Sequence, residues 1–346
     1  MLFRSLLPLD ISSLWGGTFH SIGARILRRH AEVLGFRPDF TILDREDAGD
    51  LIKACLGEAE IDIKATRFPK ADVLADIASK AVNTGRPVPQ VVAEDYDYFA
   101  PLAPAIDGVL QRYVARKRAA NVMDFDDLLA LWLRLLQDNA ELRERYQRQF
   151  QFILVDEYQD TNQLQGDLID LLGARHQNVM VVGDDSQSIY AWRGANFRNI
   201  LDFPKRYPKA QVYKIETNYR STPEILTVAN AAIAPNVHQF HKELSPARKP
   251  GRRPVLVPCQ TGEEQAAFVA QHILELRDDG TDLGRMATQF LGNNAYLQHV
   301  IDAAFQGLPE GGPFCDFVIH RNEPALIELI WSYWHEEGML VQSVNA

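Results

Sequence analysis

The sequence has no run of about 18 uncharged apolar residues, so no membrane-spanning helix and no membrane partner are predicted. Its N-terminus, Met1 to Leu9, is too short for a signal peptide and has no small-residue cleavage site. Only three cysteines are present, Cys55, Cys259 and Cys315, and they lie far apart without metal-ligand spacing. We therefore expect buried free thiols and a cytoplasmic location.

Basic residues are in deficit, because 36 Lys and Arg face 46 Asp and Glu and the net charge is −10. This balance alone argues weakly against nucleic-acid binding, since phosphate contacts need Lys and Arg. The basic residues nevertheless concentrate in three clusters: Arg25, Arg28 and Arg29; Arg112, Arg116, Lys117 and Arg118; and Lys242, Arg248, Lys249, Arg252 and Arg253. Each cluster is either a solvated helix face or loop, or part of a nucleic-acid surface.

The first half of the chain is predicted to be mainly helical. Ile11 to Trp15 is short, apolar and followed by two glycines, which predicts a strand and a tight turn. Helices are predicted at Ser21 to Leu34, at several places between Asp44 and Asn121, at Phe125 to Leu136 with Asp124 as its cap, and at Glu141 to Gln149. The segment from Asp44 to Asn121 has no strong strand signal and is interpreted as a helical insertion.

The second half alternates short apolar strands with helices. Strands are predicted at Phe152 to Val155, Val179 to Val182, Val212 to Ile215 and Val255 to Val257, the first two of them buried. Helices are predicted at Leu164 to Leu172, Pro223 to Ala234 and Gln265 to Arg277. This alternation indicates a parallel sheet, in which ligands bind beyond the carboxyl ends of the strands.

Two predicted strands end in polar side chains. Asp156 and Glu157 directly follow the strand that begins at Phe152, and adjacent carboxylates at a sheet rim can hold Mg²⁺ and polarise a water. The second strand leads into Gly183 to Ala195, which presents Tyr190, Trp192 and Arg193 together. These side chains suit stacking on single-stranded nucleic acid, or alternatively the aromatic residues belong to a core.

Two further segments carry polar groups beside a helix start. Glu216 to Pro223 contains Tyr219 and Arg220, and that arginine either reaches a transferring phosphate or pairs with a nearby acid. Gly17 to Ser21 places hydroxyls at a helix N-terminus, which favours a phosphate or simply caps the helix.

In this order, the features resemble the UvrD/Rep/PcrA branch of superfamily 1 helicases. The matching segments are Thr18-Phe19-His20-Ser21, Met123-Asp124-Phe125-Asp126-Asp127-Leu128, Val155-Asp156-Glu157-Tyr158-Gln159-Asp160-Thr161, Gly183 to Ala195, and Asn218-Tyr219-Arg220-Ser221. They resemble, in turn, a single-strand-contacting motif, the segment after a helical insertion, the Walker B motif, the motif coupling ATP to DNA, and the motif that follows it. The combination is highly specific and covers roughly Leu9 to Arg277.

The resemblance implies a role for each motif residue. Asp156 would help to hold Mg²⁺, and Glu157 would be the general base for the attacking water. Gln187 would sense the γ-phosphate, and Asp184 is counted among the nucleotide-binding residues. From the second lobe, Arg220 would stabilise charge on that phosphate and Tyr219 would stack near the adenine. The residues implied along the DNA channel are Thr18, Phe19, His20, Tyr190, Trp192 and Arg193.

The resemblance also implies the fold: an α/β RecA-like P-loop NTPase parallel sheet with a helical insertion subdomain and a partial second RecA-like lobe. The expected divisions are a first lobe in two parts, 1–44 and 119–220, an insertion at 45–118, the start of the second lobe at 221–284, and an unassigned, divergent or chimeric tail at 285–346.

One family motif has no counterpart. The P-loop, Gly-x-x-Gly-x-Gly-Lys-Ser/Thr, lies several tens of residues before the single-strand motif in this family. Only 17 residues precede Thr18, and they contain no Gly-Lys-Ser/Thr. The last two helicase motifs are also missing. We therefore expect a truncated chain in which Asp156 and Glu157 face an incomplete pocket.

The function implied is an ATP-dependent 3′→5′ helicase or translocase of the repair or replication type, using ATP and Mg²⁺. Its DNA partners would be single strands and duplex/single-strand junctions, and no protein loading partner is indicated. The alternatives are a non-catalytic fragment that binds single-stranded DNA or a partner, and a gene fragment with no function of its own.

We predict that the purified chain alone neither hydrolyses ATP nor unwinds a duplex, because it lacks the lysine and backbone cradle that bind the phosphates. Phosphate release with and without single-stranded DNA is the measurement. DNA-stimulated release that Glu157→Gln abolishes would contradict the prediction.

Overall fold

The computed structural model describes residues 14–59, 61, 67–188 and 194–282. The chain divides into two compact units. The first unit is Met1–Lys214 with Asn236–His241, and the second is Ile215–Pro235 with Lys242–Ala346. Across the described ranges, no helix is long and apolar enough to cross a membrane.

The first helix, α1 (Phe19–His30), continues as a 3-10 turn at Ala31–Leu34, as the apolar spacing predicts. Thr18 caps it, because its Oγ1 accepts the backbone N–H of Ser21 at 3.2 Å. The helix stops at Gly35, whose φ of 77° is left-handed. The predicted strand before it is not found: Leu14 and Trp15 are outside any strand, and 11–13 lie outside the described residues.

The insertion is helical, as predicted, and has its own core. Its helices are α2 (Arg45–Gly57), α3 (Ala71–Thr84), α4 (Val88–Asp95), a 3-10 segment (Asp97–Leu102) and α5 (Ala103–Ala120). The core residues are mostly aliphatic and include Ile52, Leu74, Ile77, Val91 and Ile106. Strand β1 (Thr41–Ile42) pairs in parallel with β2 (Val122–Met123), so the chain enters and leaves the insertion side by side.

A second core lies between α1 and three further helices, α6 (Phe125–Asp138), α7 (Ala140–Gln149) and α8 (Gln163–Gly173). Helix α6 starts with the predicted Asp124 cap, in a reciprocal capping box with Asp127. Gly23 of α1 faces this helix, and a Cβ there would lie only 3.1 Å from the Leu128 carbonyl oxygen. The two helices therefore pack with their backbones in close approach.

The predicted parallel pairing is present in β3 (Ile153–Val155) and β4 (Val179–Val181), with Ile153 opposite Val179 and Val155 opposite Val181. The prediction that both strands are buried is wrong. Side chains alternate between the two faces of a strand, and one face carries the exposed residues Phe152, Leu154, Met180 and Val182. The other face packs into a third core with Tyr158, Ile169, Phe203 and Tyr207.

That third core is completed by two short helices, α9 (Arg198–Leu201) and α10 (Phe203–Arg206). The second unit contains β5 (Thr217–Asn218), α11 (Pro223–Ile233), β6 (Ser245–Pro246) and α12 (Gly262–Asp278). Strands β5 and β6 are parallel, with Thr217 opposite Ser245. The helices predicted in this unit, at Pro223 to Ala234 and Gln265 to Arg277, are confirmed by α11 and α12.

Two predicted strands are wrong. Val212 to Ile215 and Val255 to Val257 lie in irregular chain without strand pairing. A strand is stable when its backbone groups pair with a neighbour, and these segments pair with none of the described residues as a ladder. Their apolar side chains, such as Tyr213, Ile215 and Leu256, are exposed instead of packed.

The cysteine prediction is only partly confirmed. Cys55 is a buried free thiol in the insertion core, where burial raises its pKa. Cys259 is also free but only half-buried, and Cys315 lies outside the described residues.

A buried charge cluster joins α5 to the start of α6. The ammonium of Lys117, whose side chain is 6% exposed, lies 2.5 Å from Asp124 and 2.6 Å from Asp127. The Tyr113 hydroxyl donates to Asp124 at 2.7 Å. Burial and the charge of Asp124 raise the pKa of Asp127, while the Lys117 charge overcomes burial to lower the pKa of Asp124. One cation thus offsets two desolvated carboxyl groups.

We predict that Lys117→Met destabilises the first unit by about 3–5 kcal/mol at pH 7, because it leaves two buried carboxylates without a cation. Urea unfolding measures this free energy. The loss should shrink as the pH falls through about 6, because Asp127 then takes up a proton and one fewer buried carboxylate needs the cation. Arg134→Met, at an exposed pair with Asp138, is the control and should cost at most about 1 kcal/mol. Equal losses in the two variants would contradict the prediction.

Candidate active site

The two predicted catalytic carboxylates lie at the carboxyl end of β3. Asp156 is exposed, and its Oδ1 accepts the backbone N–H of Glu157 at 3.0 Å. Glu157 has a φ of 49°, in the left-handed region that non-glycine residues rarely adopt. Such a conformation persists only where surrounding contacts hold it, and it is frequent at functional sites. Both side chains are left at the solvent-facing rim of the sheet.

Gln159 connects this strand end to the neighbouring one. Its side chain is almost fully buried, at 1% exposure. Its amide nitrogen donates to Glu157 Oε2 at 2.7 Å and to Asp160 Oδ2 at 3.2 Å. Its amide oxygen accepts the backbone N–H of Asp184 at 3.0 Å, beyond the end of β4. One side chain therefore fixes the two strand ends relative to each other.

Asp160 adds a second carboxyl group beside Glu157. Burial, and then the charge of Glu157, raise the pKa of Asp160 to about 6, against the hydrogen bond from Gln159. The negative charge next to Glu157 therefore increases as the pH rises through about 6.

The loop after β4 is arranged around Asp184. Its Oδ1 accepts the Ser186 N–H at 2.9 Å, and its Oδ2 accepts from the Gln187 side chain at 2.9 Å. Gly183 passes so close to the β3 end that a Cβ would overlap Gln159 Oε1 and lie 3.2 Å from the Tyr158 nitrogen. Glycine is thus required for the approach that brings Asp184 and Gln187 beside the Glu157 loop.

Tyr158 anchors the carboxylate loop from below. It is fully buried, and its hydroxyl accepts from Arg206 at 2.6 Å. Arg206 also binds Asp170 at 2.6 Å, and the Tyr207 hydroxyl donates to the same carboxylate at 2.9 Å. This network holds Tyr158 in place. Because Tyr158 lies between Glu157 and Gln159 in the sequence, the network limits the movement of both.

The predicted DNA-contacting residues at α1 have unequal exposure. Thr18 is exposed, whereas Phe19 and His20 are half-buried and Phe19 packs against two cores. The His20 ring meets Phe125 edge-on at 5.7 Å. Burial lowers the pKa of His20, and the charge of Asp126 opposes this shift. Neutral imidazole is therefore favoured at this position.

The other predicted site residues are not brought to this rim by any described contact. Tyr190, Trp192 and Arg193 lie outside the described residues. Tyr219 and Arg220 are exposed in the second unit, where Asn218 Oδ1 accepts the N–H groups of Arg220 and Ser221 at 2.9 and 2.7 Å.

Internal contacts decide the role of one basic cluster. Arg112 donates to the Glu58 carbonyl at 2.8 Å, Arg116 pairs with the Glu58 carboxylate, and Arg118 donates to the Leu34 carbonyl at 2.8 Å. Together with buried Lys117, these contacts show that the second cluster stabilises the insertion and its attachment. The cluster is therefore not simply a solvated helix face, because Lys117 is buried.

A magnesium ion needs few protein ligands when a nucleotide supplies phosphate oxygens, commonly one or two carboxylates. The described part of the chain holds no group of three or more His, Cys, Asp or Glu arranged for a metal. Asp156, an exposed carboxylate at a strand end, fits the smaller requirement of nucleotide-bound Mg²⁺.

The linking role of Gln159 was not predicted from the sequence. We predict that Gln159→Ala lowers the free energy of unfolding by about 1–3 kcal/mol, because the Asp184 N–H loses its acceptor and two carboxylates lose their shared donor. Urea unfolding is the measurement. The matched control is Gln163→Ala, since Gln163 makes only an exposed bond to Asp167 and should cost less than about 0.5 kcal/mol. A Gln159 variant as stable as this control would refute the linking role.

Comparison with known proteins agrees with these observations. Residues 3–208 match the UvrD/REP helicase N-terminal domain, and residues 213–306 match the UvrD-like helicase C-terminal domain. The chain is 36% identical over 275 residues to an ATP-dependent DNA helicase PcrA of Leuconostoc citreum. The matched segment covers 79% of this chain and 36% of that protein. It is 38% identical over 280 residues to the ATP-dependent DNA helicase PcrA of Staphylococcus aureus (strain NCTC 8325 / PS 47). That match covers 81% of this chain and 38% of the relative.

These relatives are much longer, so the chain spans 36–38% of their length. UvrD-like helicase domains have an α/β RecA-like fold, in keeping with the parallel strand pairs described above. Since the N-terminal domain model matches more than half of the 346 residues, the chain belongs to the UvrD/REP helicase family.

Proposed function

We propose that this chain is part of an ATP-driven motor that moves 3′→5′ along single-stranded DNA and acts at duplex/single-strand junctions. The observation that carries the proposal is the bond from Gln159 to Glu157 and Asp184, which joins a pair of rim carboxylates to the loop of the neighbouring parallel strand. That edge of a parallel sheet is where nucleotides bind.

On the nucleotide side, each residue has a distinct task. Asp156 would hold Mg²⁺, which neutralises charge on the phosphates when bound. Glu157 would accept a proton from the attacking water, and Gln159 orients that carboxylate through its 2.7 Å bond. Gln187 would contact the terminal phosphate, because its side chain is already oriented by Asp184. Asp184 thus acts on the nucleotide through its neighbour.

The second unit would contribute Arg220 and Tyr219. The guanidinium of Arg220 would stabilise negative charge on the transferring phosphoryl group. Tyr219 is exposed and would stack on the adenine. Asn218 fixes the turn that carries both, through its bonds to two successive backbone N–H groups.

On the DNA side, the proposed contacts are Thr18, Phe19, His20, Tyr190, Trp192 and Arg193. Phe19 is half-buried against two cores, which supports a positioning task for it beside the more exposed Thr18. Aromatic side chains bind bases of any sequence, because every base has a π face. The proposed site is therefore tolerant of sequence, as a motor on single-stranded DNA requires.

We predict that the chain binds a labelled oligo-dT with an affinity that falls as salt rises. Trp192→Ala should weaken binding by about 1–3 kcal/mol through loss of base stacking. The control is Tyr98→Ala, an exposed aromatic side chain of the insertion. Fluorescence anisotropy is the measurement.

The same titration, repeated with Mg²⁺ and a non-hydrolysable ATP analogue, separates two functions. A change in oligo-dT affinity supports a motor, because the nucleotide and DNA sites are then linked. Unchanged affinity supports a non-catalytic single-stranded-DNA-binding fragment. No binding of oligo-dT at low salt would overturn both.

A further inference from the structure

Asn83, near the end of α3 in the insertion, lies in a buried polar junction that none of the proposed roles uses. Its side chain is 7% exposed. The amide nitrogen donates to Asp126 Oδ1 at 2.8 Å, and the amide oxygen accepts from Asn162 Nδ2 at 2.7 Å. These two bonds reach residues 43 and 79 positions away in the sequence, so the junction joins three separate parts of the first unit.

One arm of the junction leads to the carboxylate loop. Asn162 follows that loop and caps α8 in a reciprocal capping box with Gln165. Thr161, directly before it, donates to the Tyr158 carbonyl at 2.7 Å. Tyr158 lies between Glu157 and Gln159, so these contacts form a continuous path from Asn162 to both residues.

A second arm leads to the proposed DNA contacts at α1. Asp126 follows Phe125, whose ring meets His20 edge-on at 5.7 Å, and the Asp126 charge acts on the His20 imidazole. Asn83 thus binds the carboxylate that lies next to the single-strand motif.

A third contact leads to the aromatic segment after β4. Gly194 has a φ of 84°, and a Cβ built on it would lie 3.6 Å from the Asn83 Cβ. Gly194 directly follows Arg193. Farther along the chain, Asn199 of α9 donates to the Thr161 carbonyl and hydroxyl at 3.0 and 3.1 Å, which ties α9 to the carboxylate loop.

We propose that Asn83 is a positioning residue that couples occupancy of the DNA-contacting segments to the conformation of the carboxylate loop at Glu157. This role rests on the proposed function. With a carboxylate at position 126, an amide is required at position 83, because the same side chain must donate to Asp126 on one side and accept from Asn162 on the other. Through Asn83, the insertion thereby links the DNA-contacting segments to the carboxylate loop at Glu157.

The test is hydrogen–deuterium exchange of residues 157–163 in the full chain, with and without oligo-dT, alongside the oligo-dT affinity. In the unmodified chain, oligo-dT should slow exchange in this loop. Asn83→Ala should reduce that DNA-dependent slowing at least about fivefold, at saturating oligo-dT. Ser79→Ala is the matched control, because it removes only a bond of Asn83 within α3 and should behave as the unmodified chain.

A compensating pair guards against a purely structural effect. Asn83→Asp alone places a second carboxylate beside Asp126. It should abolish the DNA-dependent slowing of exchange in residues 157–163. Combined with Asp126→Asn, it restores a donor facing an acceptor and should recover the DNA-dependent slowing. Recovery of coupling, with oligo-dT affinity within about threefold throughout, supports a positioning role.

The outcomes separate the two proposals. Absence of oligo-dT binding by the unmodified chain overturns the proposed function, and the coupling role falls with it. Binding without any slowing in residues 157–163, or slowing that survives Asn83→Ala unchanged, overturns the coupling role alone.

Discussion

The parallel pairing of β3 with β4 is the constraint on which the candidate site depends. The pairing continues past both strands through two backbone hydrogen bonds. The Val182 N–H donates to the Val155 carbonyl at 2.8 Å, and the Tyr158 N–H donates to the Val182 carbonyl at 2.9 Å. Parallel strands end at the same edge, so the chain turns of Asp156 and Asp184 must meet there. Gln159 then fills the space between the two turns, and Gly183 leaves room for it.

Buried polar groups, more than apolar burial, fix how the parts of the first unit fit together. The insertion has an aliphatic core of its own, which stabilises it without specifying its attachment. The attachment is made by directional contacts: Lys117 between two carboxylates, Arg118 on a carbonyl of the α1 region, and Asn83 between Asp126 and Asn162. Unpaired, the buried side chains of Lys117 and Asn83 would each carry a large desolvation cost, so one arrangement is strongly favoured.

Local sequence signals predicted the helices well. Apolar residues at helical spacing located α1 and α6, and Asp124 marked the start of α6 because an N-cap is a contact between near neighbours. Strands were predicted less well. Val212 to Ile215 is mostly apolar, as β3 is, yet strand formation depends on a partner elsewhere in the chain, which composition does not encode.

For the candidate site as well, local features were predicted from the sequence and long-range contacts were not. The carboxylates and the glycine turn were found from the sequence, since each directly follows an apolar run. Gln159 and Asn83 were not, because their partners lie 25 and 79 residues away and an amide carries no distinctive local pattern. The exposed face of β3 and β4 was also missed, since an apolar run does not reveal which of its faces is covered.

The central claim is that the β3 and β4 ends form the metal-and-base side of a nucleotide site, and Mn²⁺ tests it directly. Paramagnetic broadening of backbone amide signals by Mn²⁺, with a non-hydrolysable ATP analogue present, reports the position of the ion even when binding is weak. The account predicts selective broadening at Asp156 and Glu157 that Asp156→Asn abolishes and Asp50→Asn, at an exposed helical carboxylate, does not. Strongest broadening at any other acidic cluster, or broadening unaffected by Asp156→Asn, would contradict it.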